Sequence, residues 1–249
     1  AMIAPAIFTP QAASSVPMLV PPELRARAIT FIFLGFSSSA VLGVPLAAWI
    51  GGTWGWRVTF AFIGAMGVIN AIWIWRTMPD GVKPPALSRA AWGQALQSPA
   101  LMLCILVTLL YSAGQFVLFS YFAPYFKTHL NVTPVELSAL LAWFGMFGFL
   151  GNVWVSRHID RLGAARAVGI GIACMVLSLA AWPLGNSVAM AALVMVPWAL
   201  GCFASNSAQQ ARLLEIAPHL GSASISLNTS AMYAGQAFGA ASGGWLVAN

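Results

Sequence analysis

Charge is what this sequence has least of. Its 249 residues hold 11 Lys plus Arg and 5 Asp plus Glu, so 6% are charged and 60% hydrophobic. A soluble domain carries roughly 25% charged residues. With a mean hydropathy of +0.84, the chain cannot cover its apolar surface as an ordinary soluble enzyme does. The same scarcity excludes a disordered segment, a coiled coil and a nucleic-acid binder, although the net charge is +6.

Cysteine is scarce as well. Cys104, Cys174 and Cys202 lie in apolar runs at no zinc or redox spacing, and read as packing residues. No metal or cofactor is expected. Glu136, Glu215, His129, His158 and His219 fall near the ends of predicted helices, and no carboxylate pair or HExxH stands inside a span. A polytopic membrane enzyme, which needs converging acid–base or metal groups, is therefore disfavoured. A basic leader is also lacking: the first charge is Glu23. The chain reads as one that begins within a hydrophobic segment.

What is present is long uncharged stretches. A membrane helix needs about 20 mostly apolar residues. The pattern predicts eight, at 1–20, 28–51, 57–77, 99–126, 135–156, 165–183, 187–211 and 221–247. The turn signal Pro183-Leu184-Gly185-Asn186-Ser187 divides the longest stretch. Alternate loops carry nine basic residues (Arg25, Arg27, Arg76, Lys83, Arg89, Arg157, Arg161, Arg166, Arg212) against two (Arg57, Lys127). The positive-inside rule places the nine in the cytoplasm. The class is an all-α polytopic membrane protein, embedded in the lipid bilayer of the inner (plasma) membrane.

The chain also repeats itself at a shift of 196 positions. Pro22 falls on Pro218, and the small residues Gly35, Ser39, Gly43 and Ala47 fall on Ala231, Gly235, Gly239 and Gly243. Small residues at i,i+4 let neighbouring helices approach closely. A period holding six helices implies two pseudo-symmetric six-helix halves, of whose twelve helices eight are here, spans four to eleven. Residues 1–78 belong to the first half, 79–98 form a cytoplasmic linker, and 99–249 belong to the second half without its last helix.

Two motifs extend this reading. The stretch Ser156-Arg157-His158-Ile159-Asp160-Arg161-Leu162-Gly163-Ala164-Ala165-Arg166 resembles the cytoplasmic-loop motif G-x-x-x-D-R-x-G-x-R-R of the major facilitator superfamily. Asp160, Arg161, Gly163 and Arg166 match, while Ser156 and Ala165 depart. The stretch Gly43-Val44-Pro45 through Gly51-Gly52 resembles that family's antiporter motif. PPELRARA (21–28) and GWRVTF (55–60) are similar to its drug and sugar efflux branch, which includes arabinose-efflux-permease-like proteins.

The resemblance implies a monomeric secondary transporter that exports a small molecule (drug-like, sugar or related metabolite) by proton antiport and alternating access. It implies that Arg157, Asp160, Arg161 and Arg166 with Glu23 latch the cytoplasmic side, and that Gly43, Pro45, Gly51, Gly52, Gly239 and Gly243 govern helix packing. Spans four, seven and ten line the cavity in that family. The polar residues they carry here, Gln11, Ser14, Ser15, Tyr111, Gln115, Asn206 and Gln210, with Phe119, become the candidate cavity residues. Hydrocarbon cannot satisfy amides, and interhelical bonding is the alternative for each pair. An uptake transporter and a non-transporting sensor or scaffold of the same fold remain the competing functions. With no acidic group in mid-span, proton coupling rests on the resemblance alone.

Overall fold

The computed structural model describes residues 39–79, 81–82, 88–217 and 220–248, with 15, 19 and 21; of residues 40, 160, 222 and 248 it describes the backbone only. A π-helical turn, Ser39–Gly43, leads into α1 (Val44–Thr53). There follow α2 (Trp56–Thr77), α3 (Arg89–Gln97), α4 (Pro99–Phe119), α5 (Phe122–His129), α6 (Pro134–Leu162), α7 (Ala164–Ala181), α8 (Val188–Ile216) and α9 (Gly221–Ala248). Among the described residues every regular element is helical.

Among the described residues, five stretches are long and apolar enough to cross a membrane: Trp56–Thr77, Pro99–His129, Pro134–Ile159, Ala164–Leu184 and Val188–Ile216. The helix α9 has the length, but its Gly, Ser, Thr, Asn and Gln content dilutes its apolarity. The predicted helix at 1–20, and most of that at 28–51, lie outside the described residues.

Three differences from the sequence reading have local causes. The predicted helix at 99–126 is interrupted at Ser120–Tyr121, where the Tyr121 amide bonds the Leu118 carbonyl and Pro124, which has no N–H, cannot bond the Ser120 carbonyl. The 79–98 linker contains a helix of its own, α3, whose cap Ser88 accepts from the Ala91 amide and which buries Ala95 completely. The helix predicted at 135–156 runs on to Leu162. Its start is fixed by a capping box, in which Thr133 Oγ1 accepts from the Glu136 amide (3.2 Å) and Glu136 Oε2 accepts from the Thr133 amide (2.8 Å). It ends at Gly163, whose φ of +79° strongly favours glycine.

Packing follows the small residues. In a membrane no hydrophobic force draws helices together, so close van der Waals contact must do it. Gly235, Gly239 and Gly243 of α9 abut the Leu109, Ala113 and Val117 carbonyls of α4, and Tyr121 donates to the Ala240 carbonyl (2.9 Å). Gly171 of α7 and Gly201 of α8 abut each other's backbone, and Gly151 of α6 abuts the Leu200 carbonyl.

A polar pin joins α4, α8 and α9. Buried Gln209 donates through Nε2 to the Cys104 carbonyl (2.5 Å) and to Thr108 Oγ1 (3.1 Å), and Thr108 donates to Asn228 Oδ1 (2.6 Å). Gln209→Leu removes both of the bonds that Gln209 donates, each worth about 0.5–1.5 kcal/mol net. Thermal unfolding in detergent measures this as a lowered melting temperature.

Candidate functional site

A cavity of about 300 Å³ opens where five helices meet. Tyr111, Ser112, Gln115, Phe116 and Phe119 of α4 form one wall, and Cys202, Phe203 and Asn206 of α8 another. Met232, Tyr233 and Gln236 come from α9, Phe144 from α6, and Val44 with Ser39 from the first part of the chain. Among the described residues, none that lines the cavity is charged. The wall alternates aromatic faces with amides and hydroxyls.

Geometry explains the gathering. Tyr111, Gln115 and Phe119 are separated by four residues each, so they form one stripe on α4. On α9 the packing face runs through Gly235 and Gly239, so Met232 and Gln236 lie beside it and border the same gap. Gln115 Oε1 accepts from the buried Trp198 indole (3.2 Å). Phe119 and Phe144 belong also to an aromatic cluster with Phe122, Trp182 and Trp198. Phe119 and Phe122 are 5.1 Å apart, and Phe122 stacks on Trp182 at 5.5 Å. Such pairs contribute about 0.5–1.5 kcal/mol each beyond area burial, so the cluster makes a firm wall beside α5.

The structure thus brings together Tyr111, Gln115, Phe119 and Asn206. It does not bring Gln210 to them: that residue is half-buried and outside the lining, while its neighbour Gln209 is the buried amide, turned toward α4. One helical step of 100° separates the two faces. Ser15 is buried in helical backbone and is not part of the lining. Gln11, Ser14 and Glu23 lie outside the described residues. Tyr233 and Gln236 escaped the sequence reading, although their offset from the glycine stripe of α9 marks that face.

In the loop motif, Arg157, Arg161 and Arg166 are exposed at the ends of α6 and α7, and Gly163 makes the turn between those helices. Asp160 sits in the last turn of α6. The first-half glycines behave differently from those of α9. Gly43 and Gly51 meet Ser39 and Thr59 of their own neighbourhood, whereas Gly52 lies against Pro134 of α6, where an added Cβ would come within 2.8 Å. Pro45 is buried in the first turn of α1. Among the described residues no three His, Cys, Asp or Glu side chains converge as a metal site.

The fold and the cavity define a class: a polytopic α-helical membrane protein with a ligand-sized hollow between its helices, uncharged among the described lining residues. The sequence profile of the Major Facilitator Superfamily matches residues 1–247, and the chain belongs to that family. It is 30% identical over 232 residues to the inner membrane transport protein YdhP of Escherichia coli (strain K12), covering 92% of this chain and 59% of that one. It is 28% identical over 195 residues to the purine ribonucleoside efflux pump NepI of Salmonella paratyphi B, covering 78% of this chain and 49% of that one. The crystal structure of a bacterial homolog of the human lysosomal transporter Spinster, inward-facing and unoccupied, shares the fold. Its TM-score is 0.64 at 21% identity, covering 93% of this chain and 57% of the other. The chain thus spans about half to three-fifths of the length of these relatives. It is a multi-pass protein of the inner membrane, in a family of transporters rather than enzymes.

Proposed function

We propose that the full-length protein exports an uncharged small molecule by proton antiport, through alternating access of the half containing 1–78 against that containing 99–249. The cavity carries this reading. Its aromatic faces suit a planar ring, and Tyr111, Gln115, Asn206 and Gln236 supply donors and acceptors without charge. A neutral solute with a flat ring and a hydrogen-bonding edge fits such a wall better than an ion does. The purine ribonucleoside named for NepI has that chemistry and is the natural first probe. Drug-like heterocycles and sugars complete the panel.

Everted vesicles holding the full-length protein test the direction and the coupling. An imposed gradient, acid inside, drives accumulation of the labelled solute, and a protonophore abolishes it. Accumulation that is indifferent to the protonophore contradicts antiport.

The loop after α6 supplies the latch of the same cycle. Asp160 with Arg157, Arg161 and Arg166 closes the cytoplasmic side in one state, at about 0–1 kcal/mol per exposed pair, weak enough to reopen each turnover. Asp160→Asn lowers transport severalfold while expression stays near normal. Unchanged transport removes the latch.

A further inference from the structure

A second hollow, of about 560 Å³, lies between α6 and α7 over α8. Its floor is Leu200, Gly201 and Ala204, whereas Cys202, Phe203 and Asn206 line the central cavity. At 100° per residue these sets occupy opposite faces of α8, so this hollow faces away from the cavity, toward the bilayer. Its walls carry Leu150, Trp154 and Ile170, which are 47%, 45% and 43% exposed. The close backbone approaches at Gly151 and Gly171 keep the floor narrow and smooth.

The groove is apolar until its basic end, where Arg157 and His158 line it. His158 is held there: its Nδ1 lies 2.8 Å from the Trp154 carbonyl, and its ring stacks on Trp154 at 5.0 Å. Arg161 stands one turn beyond Arg157, and Arg166 precedes the groove residue Ala167, against one carboxylate in the same loop, Asp160. From 150 to 157 the groove runs about 10 Å along α6 at 1.5 Å per residue, most of the roughly 15 Å depth of one hydrocarbon leaflet.

We infer that this groove holds an acyl chain of an anionic phospholipid, with its phosphate against Arg157 and His158. The apolar trough fits the chain, and the excess of positive charge at the mouth selects the anionic headgroup over a zwitterionic one. The site is separate from the substrate cavity, so its test does not depend on the transported solute.

The test uses the full-length protein in phosphatidylcholine vesicles containing a small fraction of dibrominated phosphatidylglycerol or dibrominated phosphatidylcholine. Bromine quenches nearby indoles, and the difference between wild type and Trp154→Phe isolates the groove. Phosphatidylglycerol should occupy it about fivefold more readily than phosphatidylcholine. The pair Arg157→Gln/His158→Gln should abolish that preference while quenching by phosphatidylcholine stays unchanged. Arg157→Lys, which keeps the charge, should retain it. Equal quenching by both lipids in wild type overturns the proposal, as does a preference that survives the double substitution. Displacement by millimolar inorganic phosphate would mark a free-phosphate site and overturn it too.

Discussion

Gly239→Leu should unfold the contact between α4 and α9. A Cβ at Gly239 meets the Ala113 carbonyl, which is helix backbone and cannot turn aside as a side chain can. Gly235 and Gly243 stand in the same relation to Leu109 and Val117, so displacing one residue loosens all three contacts and the Tyr121 bond to the Ala240 carbonyl. Overpacking a tight contact costs about 1–3 kcal/mol, and a backbone neighbour puts this case at or beyond the upper end. Size-exclusion profile and thermal melting in detergent measure it. The control is Gly114→Ala, on α4 itself, where an added Cβ meets nothing within 4 Å. It should leave melting unchanged or slightly raised, since alanine favours helix over glycine. Equal melting for Gly239→Leu and Gly114→Ala would show that α4 and α9 do not pack as described.

The second large effect falls on transport. Asn206→Leu removes a polar group from the cavity wall while keeping its approximate volume. A site built to hydrogen-bond its ligand loses about 1–3 kcal/mol when one partner is deleted, a fall of roughly fivefold to over a hundredfold in transport at low solute concentration. Gln115→Leu should do the same, and it also frees the Trp198 indole. Gln210→Leu should change transport less than twofold, because Gln210 is outside the lining. Melting temperatures of the three variants separate lost binding from lost folding. Equal effects at 206 and 210 would contradict the assignment of the cavity.

Much of the fold was legible because membrane insertion is governed by simple quantities. The rarity of charge, the length of the apolar runs and the sidedness of Arg and Lys are one-dimensional properties. They placed the helix cores at 57–77 and 187–211 to within a few residues of α2 and the start of α8. The stripe Tyr111, Gln115 and Phe119 was legible for a related reason: four-residue spacing is a helix face whatever surrounds it.

What stayed hidden depends on partners. Gln209 and Gln210 are adjacent amides, and only the position of α4 decides which of them is buried. Tyr233 and Gln236 join the cavity because the glycines of α9 dock on α4, a pairing between residues more than a hundred positions apart. The break at Ser120–Tyr121 is local instead: Pro124 has no N–H for the Ser120 carbonyl. The groove between α6 and α7 could not be read at all, because it exists only where the two helices diverge over α8.

The most direct test of the central claim is photo-crosslinking. A labelled azido-purine nucleoside, or the photoreactive analogue of whichever solute the vesicles accumulate, is irradiated with the purified full-length protein, and the modified peptides are sequenced. If the cavity is the binding site, label falls on Tyr111–Phe119 of α4, Cys202–Asn206 of α8 and Met232–Gln236 of α9, and excess unlabelled solute suppresses it. Suppressible label confined to the outer faces of α2, or to the groove between α6 and α7, would contradict it.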